Sequence, residues 1–362
     1  MRAAVCREFG QPFTLEEVSL APPGPGEVRC RVKAVAICHS DITFAEGGWG
    51  GALPAVFGHE AAGIVLECGP GVGGLAAGDR VVITMVRHCG TCPCCTRGLQ
   101  GVCEHDFPLD THSPIQAADG SAIRQGLRTG AFAEEVVVEA SQVVVIEDDL
   151  SFETASLLAC GVITGYGAVA NTAGLFQGAD AVVIGTGGVG LNAVQSAHLA
   201  GAGRVIAIDL DPVKLAAARH FGATHCVNAR EEDAHARVRE ITGGRGADFV
   251  FVTVGAIQAI DQSYTMLAPG GTSVLVGVPA LGVRSVFDPV AAISAGQRIL
   301  GSKLDAQIHR DIPALIEHWR AGRLYLDELV SRTFAFDEIN AAMDATRRGE
   351  GLRNVVVMGE GA

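Results

Sequence analysis

Ala181-Val182-Val183-Ile184-Gly185-Thr186-Gly187-Gly188-Val189-Gly190 is the stretch on which the fold turns. Its four leading apolar residues form the kind of short run that a fully buried strand carries. Gly185, Gly187 and Gly190 follow in G-x-G-x-x-G spacing, with Gly188 and Val189 between them, and Leu191–Ala200 is compatible with a helix. A second buried run, Arg204–Ile208, ends at Asp209, 19 residues after Gly190. Strand, glycine turn, helix, strand and closing carboxylate is the order of a dinucleotide-binding βαβ unit. The turn lets backbone reach a pyrophosphate at the helix N-terminus, and the acid takes the ribose hydroxyls. Asp209 would also repel a 2′-phosphate, which favours NAD over NADP.

The same rhythm continues downstream. Asp211-Pro212 reads as an N-cap with proline at the first helical position, opening a helix to about Phe221. Apolar runs at Asp248–Val252 and Thr272–Val276 supply further strands. Strands alternating with helices predict a doubly wound parallel sheet, an α/β fold. Near the end of the chain a helix starts around Asp337 and stops near Gly349–Gly351, and Asn354–Val357 reads as a last strand. Upstream the pattern is different. Val28, Cys30, Val32 and Ala34 alternate with charged or small residues, and shorter runs at Gly63–Cys68 and Arg80–Thr84 flank a turn-rich segment. The first 150 residues are β-rich.

A chain of 362 residues exceeds one ordinary core, so two domains are expected. Apolar residues make up 48% but aromatics only 5%, so the core must rest on Val, Ile, Leu and Ala. A net charge of −13 argues against nucleic acid as a partner. The N-terminus lacks the apolar core of a signal peptide, and no run is long enough to span a bilayer. A soluble, cytoplasmic protein without membrane partners is expected. In a reducing compartment, eleven cysteines point to metal rather than to disulfides.

Four of those cysteines crowd between Cys89 and Cys95. With Cys103, the residues Cys89, Cys92 and Cys95 give C-x2-C-x2-C-x7-C. Four thiolates can close a tetrahedron around zinc and leave no place for substrate, so such a zinc is structural. An iron–sulfur cluster also takes four thiolates and remains the competing assignment. Cys94 is an extra thiol, and its use would make two ligands adjacent in sequence.

Three scattered pieces carry the remaining metal case: Cys38-His39-Ser40-Asp41, Gly58-His59-Glu60, and Cys160 ahead of Thr164-Gly165-Tyr166-Gly167. No spacing rule joins them. Taken with the four-cysteine lobe and the glycine turn, however, their order resembles that of the zinc-dependent medium-chain alcohol dehydrogenases over nearly the whole chain. That resemblance implies a GroES-like catalytic domain at 1–150 and 299–362, with a zinc lobe at 88–104. It also implies a Rossmann NAD-binding domain at 151–298 and an active site in the cleft between the two. It assigns Cys38, His59 and Cys160 to a catalytic zinc, making two zinc ions per chain, with the fourth place open to water or substrate. Ser40 then matches the residue that takes the substrate proton, Asp41 the carboxylate that orients His59, and Glu60 a carboxylate behind the metal. Lys214 matches a ribose contact, His39 and Arg353 pyrophosphate ligands, and Thr164 a contact near the nicotinamide. Where the liver-type enzymes continue their proton relay with a histidine, this chain has Thr43.

Between Cys103 and Phe132 lies a polar connection of 28 residues. Its length, and Gly130-Ala131-Phe132-Ala133-Glu134, look most like the mycothiol-linked formaldehyde dehydrogenase branch of the family. The expected activity is reversible oxidation of a small primary alcohol. Oxidation of a thiol–formaldehyde adduct is the near alternative, and a non-catalytic zinc- and nucleotide-binding regulator the remote one. In dimeric relatives, sheets join at the position of Val283–Phe287, so a homodimer paired at that sheet edge is expected.

Overall fold

Strand Glu27–Ala36 is the spine of the N-terminal half. Val28, Cys30, Val32 and Ala34 are buried while Arg29, Arg31 and Lys33 reach toward solvent, the period-two alternation that the sequence shows. This strand pairs antiparallel with Glu60–Cys68, Glu135–Glu139 and Arg353–Val357. Arg80–Ile83, Val143–Val145 and Val330–Ala335 complete its sheet. A second sheet holds Thr14–Glu17, Arg2–Cys6, Ala55–Val56, Ala122–Gln125, Ile115–Gln116 and Ser19–Leu20. A common core of Val5, Val28, Val32, Ile83, Phe132 and Val356 lies beneath them.

The computed structural model describes residues 1–359 and divides into two units. The first comprises Met1–Gly161, Gln307–Ala314 and the chain from Leu326 onward; the second comprises Val162–Ala306 and Leu315–Tyr325.

The second unit is built on six parallel strands: β1 (Asp180–Ile184), β2 (Arg204–Asp209), β3 (His225–Asn228), β4 (Ala247–Val252), β5 (Leu267–Leu275) and β6 (Arg298–Gly301). They lie in the order β3-β2-β1-β4-β5-β6. All of β1 is buried, as an apolar run covered on both faces must be. The order reverses beside β1, so the crevice beyond the carboxyl ends of β1 and β4 is the switch point at which such sheets bind nucleotides. Helix α1 (Gly188–Leu199) leaves the glycine turn directly, and α2 (Pro212–His220) starts from Asp211, whose side chain accepts from Val213 N–H.

One expectation changes here. Val283–Phe287, expected at the sheet edge, is loop, and β6 forms that edge. Ser285 Oγ donates to Asp261 at 2.6 Å and Val286 N–H donates to the same carboxylate, which ties the loop to helix Ile257–Thr265 instead of a ladder. The connection 104–131 carries structure of its own. It contains the turn Pro108–Thr111 and a short hairpin, Ile115–Gln116 with Ala122–Gln125. Its anchor is Arg87, fully buried, which donates to Gln142, Asp110 and the Arg128 carbonyl.

Candidate active site

Strand register, not sequence proximity, assembles this site. In the ladder, Ala36 stands opposite both Glu60 and Val355. The chain just beyond Ala36 therefore meets His59-Glu60 and Arg353 at one end of the sheet. Cys38 caps the short helix His39–Ala45, and Asp41 in its first turn accepts from Cys38 N–H at 3.0 Å. The other Asp41 oxygen accepts from Gly58 N–H at 2.9 Å and lies 3.1 Å from His59 Nδ1. One buried carboxylate thus fixes the helix start, the turn before His59 and the imidazole together. Cys160 arrives on a π-helical turn, Leu158–Val162, directly after helix Phe152–Leu157. Such wide turns frequently mark functional positions.

Cys38, His59, Glu60 and Cys160 bring one ligand atom each to within 4.8 Å of one another. His59 Nε2 and Glu60 Oε1 are buried without a hydrogen-bond partner. Nδ1 being committed to Asp41, Nε2 is free to offer its lone pair to a metal. Electrostatics point the same way. The Cys38 thiol is pulled well below its usual range by its hydrogen bond to Cys160, with further help from His59. Its partner Cys160 is held above that range by the same bond and by burial. Burial opposes charge on His59, yet Asp41 raises the imidazole above its ordinary value. Burial pushes Glu60 up to about 8 despite Arg353. A dication would discharge this crowd of buried acceptors, and two thiolates with one imidazole suit zinc.

Arg353 was expected at the pyrophosphate. Its guanidinium is buried, donates to Glu60 Oε2 at 2.5 Å and reaches the Ile37 carbonyl at 3.4 Å. A Cβ at Gly161 would come within 2.2 Å of it, so glycine beside Cys160 makes room for this arginine. His39 is exposed and Ser40 half-buried on the same helix, with the Thr43 hydroxyl donating to the His39 carbonyl.

In the second unit, Gly190 packs so closely on the turn that a Cβ would stand 1.8 Å from the Gly185 carbonyl oxygen. A Cβ at Gly187 would meet open space, the cradle a pyrophosphate needs. Asp209 ends β2 with its carboxylate on Thr186, a contact that sequence reading missed although Thr186 sits inside the glycine motif. Lys214 is half-buried on α2, and Thr164 is buried on helix Ile163–Gly167.

Two family models account for most of the chain: the alcohol dehydrogenase GroES-like domain over residues 24–148 and the zinc-binding dehydrogenase over 188–319. The chain belongs to the zinc-binding alcohol dehydrogenases. Alcohol dehydrogenase B of Mycobacterium tuberculosis is 35% identical over 370 residues, covering 98% of this chain and 97% of that protein. The crystal structure of an alcohol dehydrogenase zinc-binding domain protein from Burkholderia ambifaria superposes with a TM-score of 0.94 at 33% identity, over 99% of both chains. Benzyl alcohol dehydrogenase from Acinetobacter calcoaceticus gives 0.92 at 30% identity, again over 99% of both.

The zinc-binding dehydrogenase family and the clustered cysteines fit zinc as this chain's metal. In this dehydrogenase the Sγ atoms of Cys89, Cys92, Cys95 and Cys103 lie within 4.8 Å of one another. Backbone amides aim at them: Thr91 and Cys92 donate to Cys89, Cys95 to Cys92, and Cys89 and His105 to Cys103. Those donors pull Cys89 down to about 6. Burial, together with its hydrogen bond to Cys92, raises Cys95 to about 12, so the last thiol keeps its proton until a cation arrives. The fifth cysteine, Cys94, turns away to Glu104, 3.0 Å from its Sγ.

Proposed function

We propose that this dehydrogenase interconverts a primary alcohol and its aldehyde using NAD, with one zinc at Cys38, His59 and Cys160 and a second at the four-cysteine lobe. The observation that carries the reading is the clustered trio, half-buried Cys38 with buried His59 and Cys160, whose His59 Nε2 is unpartnered at the start of the helix that bears Ser40. When bound, zinc would supply a Lewis acid at the substrate oxygen and the nicotinamide a hydride acceptor. The protein's own part is positional. Asp41 locks the imidazole, Ser40 takes the hydroxyl proton, and Arg353 neutralises Glu60 behind the ligands. Thr43, three residues after Ser40, turns its hydroxyl to the His39 carbonyl. Dinucleotide binding falls to the second unit, at Gly185–Gly190 and Asp209.

The Acinetobacter relative acts on benzyl alcohol, so aromatic primary alcohols are the first substrates to try. The test follows NADH absorbance with benzyl alcohol, aliphatic alcohols, and formaldehyde with and without added thiol. Turnover of formaldehyde only with thiol present would replace this reading by the adduct oxidation. Faster turnover with NADP than with NAD would overturn the assignment of Asp209.

We further propose a homodimer in the cytoplasm. Val286, Val290 and Ile293 are 79%, 71% and 81% exposed on one stretch of the second unit, and exposed apolar residues grouped in this way suit an interaction surface. Light scattering at the mass of one chain would refute the dimer. All eleven cysteines are free, which suits a reducing compartment. The helical run Phe152–Ala173 is long and apolar enough to cross a membrane, but most of it is buried in the protein.

A further inference from the structure

The Asp209 carboxylate is more heavily engaged than a waiting ribose ligand should be. Oδ2 accepts from Thr186 N–H at 2.6 Å and from Thr186 Oγ1 at 2.9 Å. Oδ1 accepts from Leu210 N–H at 2.7 Å and from Asp211 N–H at 3.0 Å. A carboxylate offers about four lone-pair sites, two on each oxygen, so all of them are in use. A ribose diol that donates here must take a site from a donor already present.

Three of those donors are backbone amides fixed by the turn after β1 and by the start of α2. They cannot leave without unwinding the elements that carry them. The fourth is a hydroxyl on a rotatable bond. Thr186 is fully buried and its Oγ1 donates to Asp209, so it alone among the four donors can turn aside without unwinding backbone, at the cost of a buried hydroxyl left without its acceptor.

We infer that the Thr186 hydroxyl is a place-holder on Asp209 that the ribose must displace, and that it thereby weakens dinucleotide binding. This inference rests on the reading of Asp209 as the ribose ligand. The hydroxyl keeps the carboxylate satisfied while the site is empty and is released when a sugar hydroxyl arrives. The exchange returns one hydrogen bond for one lost, so net affinity comes only from the second ribose contact and the pyrophosphate cradle. It also partly screens the charge that should repel a 2′-phosphate. A chain with an apolar residue at 186 would therefore hold NADH more tightly and discriminate more sharply against NADPH.

The experiment is direct binding of NADH and NADPH by fluorescence or calorimetry, without turnover, to the wild type, Thr186→Val, Thr186→Ser and Asp209→Asn. Valine keeps the shape of threonine and removes the donor; serine keeps the donor. Thr186→Val should bind NADH about threefold to tenfold more tightly, the range set by one net hydrogen bond. Its NADPH affinity should not improve, and Thr186→Ser should match the wild type. If Thr186 merely braced Asp209, valine would weaken NADH binding, and that result, or an unchanged affinity, overturns the inference. Asp209→Asn separates the two levels of the argument. If it binds NADH like the wild type, the assignment of Asp209 has failed and takes the place-holder with it. If it loses NADH while Thr186→Val gains nothing, only the place-holder has failed.

Discussion

The dehydrogenase gathers cysteines for metal twice, by opposite means. The lobe takes all four from one short segment, Cys89 to Cys103, and aims backbone amides at their sulfurs. The other site takes Cys38, His59 and Cys160 from three distant segments and surrounds them with Asp41, Glu60 and Arg353. A local loop can close four thiolates around an ion because nothing else has to fold first, and that closure leaves no room for a reactant. The dispersed trio exists only once its sheet is formed. In the proposed assignment it leaves one ligand position to water or substrate, with Asp41, Glu60 and Arg353 balancing its charge. On that assignment, proximity in sequence goes with a structural role and dispersion with a catalytic one.

The largest effect should come from breaking the local site. Structural zinc binding is itself folding free energy, on the order of 10 kcal/mol in small zinc domains. Cys103→Ala should therefore cost one zinc, melt the segment from Cys89 to Cys103, and sharply lower the melting temperature. Limited proteolysis should cut within that segment. A variant with one zinc but an unchanged melting curve would contradict the structural role.

Cys160→Ala should give the reverse pattern. Losing a Lewis acid removes several kcal/mol of transition-state stabilisation, so kcat should fall by about a thousandfold or more. Elemental analysis should again find one zinc, but the circular dichroism spectrum and melting temperature should stay near wild type. Near-normal activity would remove Cys160 from the site.

Arg353→Leu probes the balancing charges. It leaves Glu60 buried without its ion-pair partner, and breaking such a pair typically costs about 3–5 kcal/mol. Glu60 already sits up at about 8 with Arg353 beside it, so without the arginine it should rise further and stay protonated at neutral pH. The sign follows. In the unfolded chain the carboxyl ionises in the ordinary range, so a carboxyl that stays protonated when folded costs stability above that range. Both proteins carry this cost alike up to about pH 8, where the wild-type carboxyl begins to ionise beside Arg353, so the variant's deficit should be flat below pH 8 and widen above it. Equilibrium denaturation at about pH 7 and about pH 9.5 checks this, and a deficit that is unchanged or shrinks over that range would contradict it.

What could be read from sequence divides along the same line as the two sites. The run Ala181–Ile184, the glycines to Gly190 and the closing Asp209 fix the nucleotide sheet because every signal lies within one βαβ unit. Asp211-Pro212 marks the start of α2 for the same reason, and the lobe spacing is likewise local. The dispersed trio carries no such signal. Its meeting depends on Ala36 facing both Glu60 and Val355, a register set by whole-sheet burial, and only resemblance linked its parts. The π turn that delivers Cys160 has no marker in Leu158–Val162. Arg353 pairing with Glu60 was hidden too, although Gly161, which leaves it space, stands in plain sight. Likeness to dimeric relatives puts Val283–Phe287 at a sheet edge, whereas Ser285 and Val286 donate to Asp261 and hold the segment as loop.

The smallest expected effect belongs to Cys94, and it tests whether the lobe counts ligands by geometry or by mere abundance of thiols. Five cysteines lie between Cys89 and Cys103, and four can close the tetrahedron. The electrostatics separate Cys89 from Cys94. Cys89 accepts from the Thr91 and Cys92 amides and the Thr91 hydroxyl and is pulled down to about 6, which favours the thiolate a metal requires. Cys94 hydrogen-bonds the Glu104 carboxylate, which raises its thiol and keeps the proton in place. A serine hydroxyl can donate to the same carboxylate from nearly the same position. Cys94→Ser should therefore keep two zinc ions per chain, and because Cys94 is buried it should cost about 1 kcal/mol, the central value for a single substitution. Metal analysis and thermal melting decide it. A fall to one zinc would mean that Cys94 is a ligand and that one of Cys89, Cys92, Cys95 and Cys103 is not.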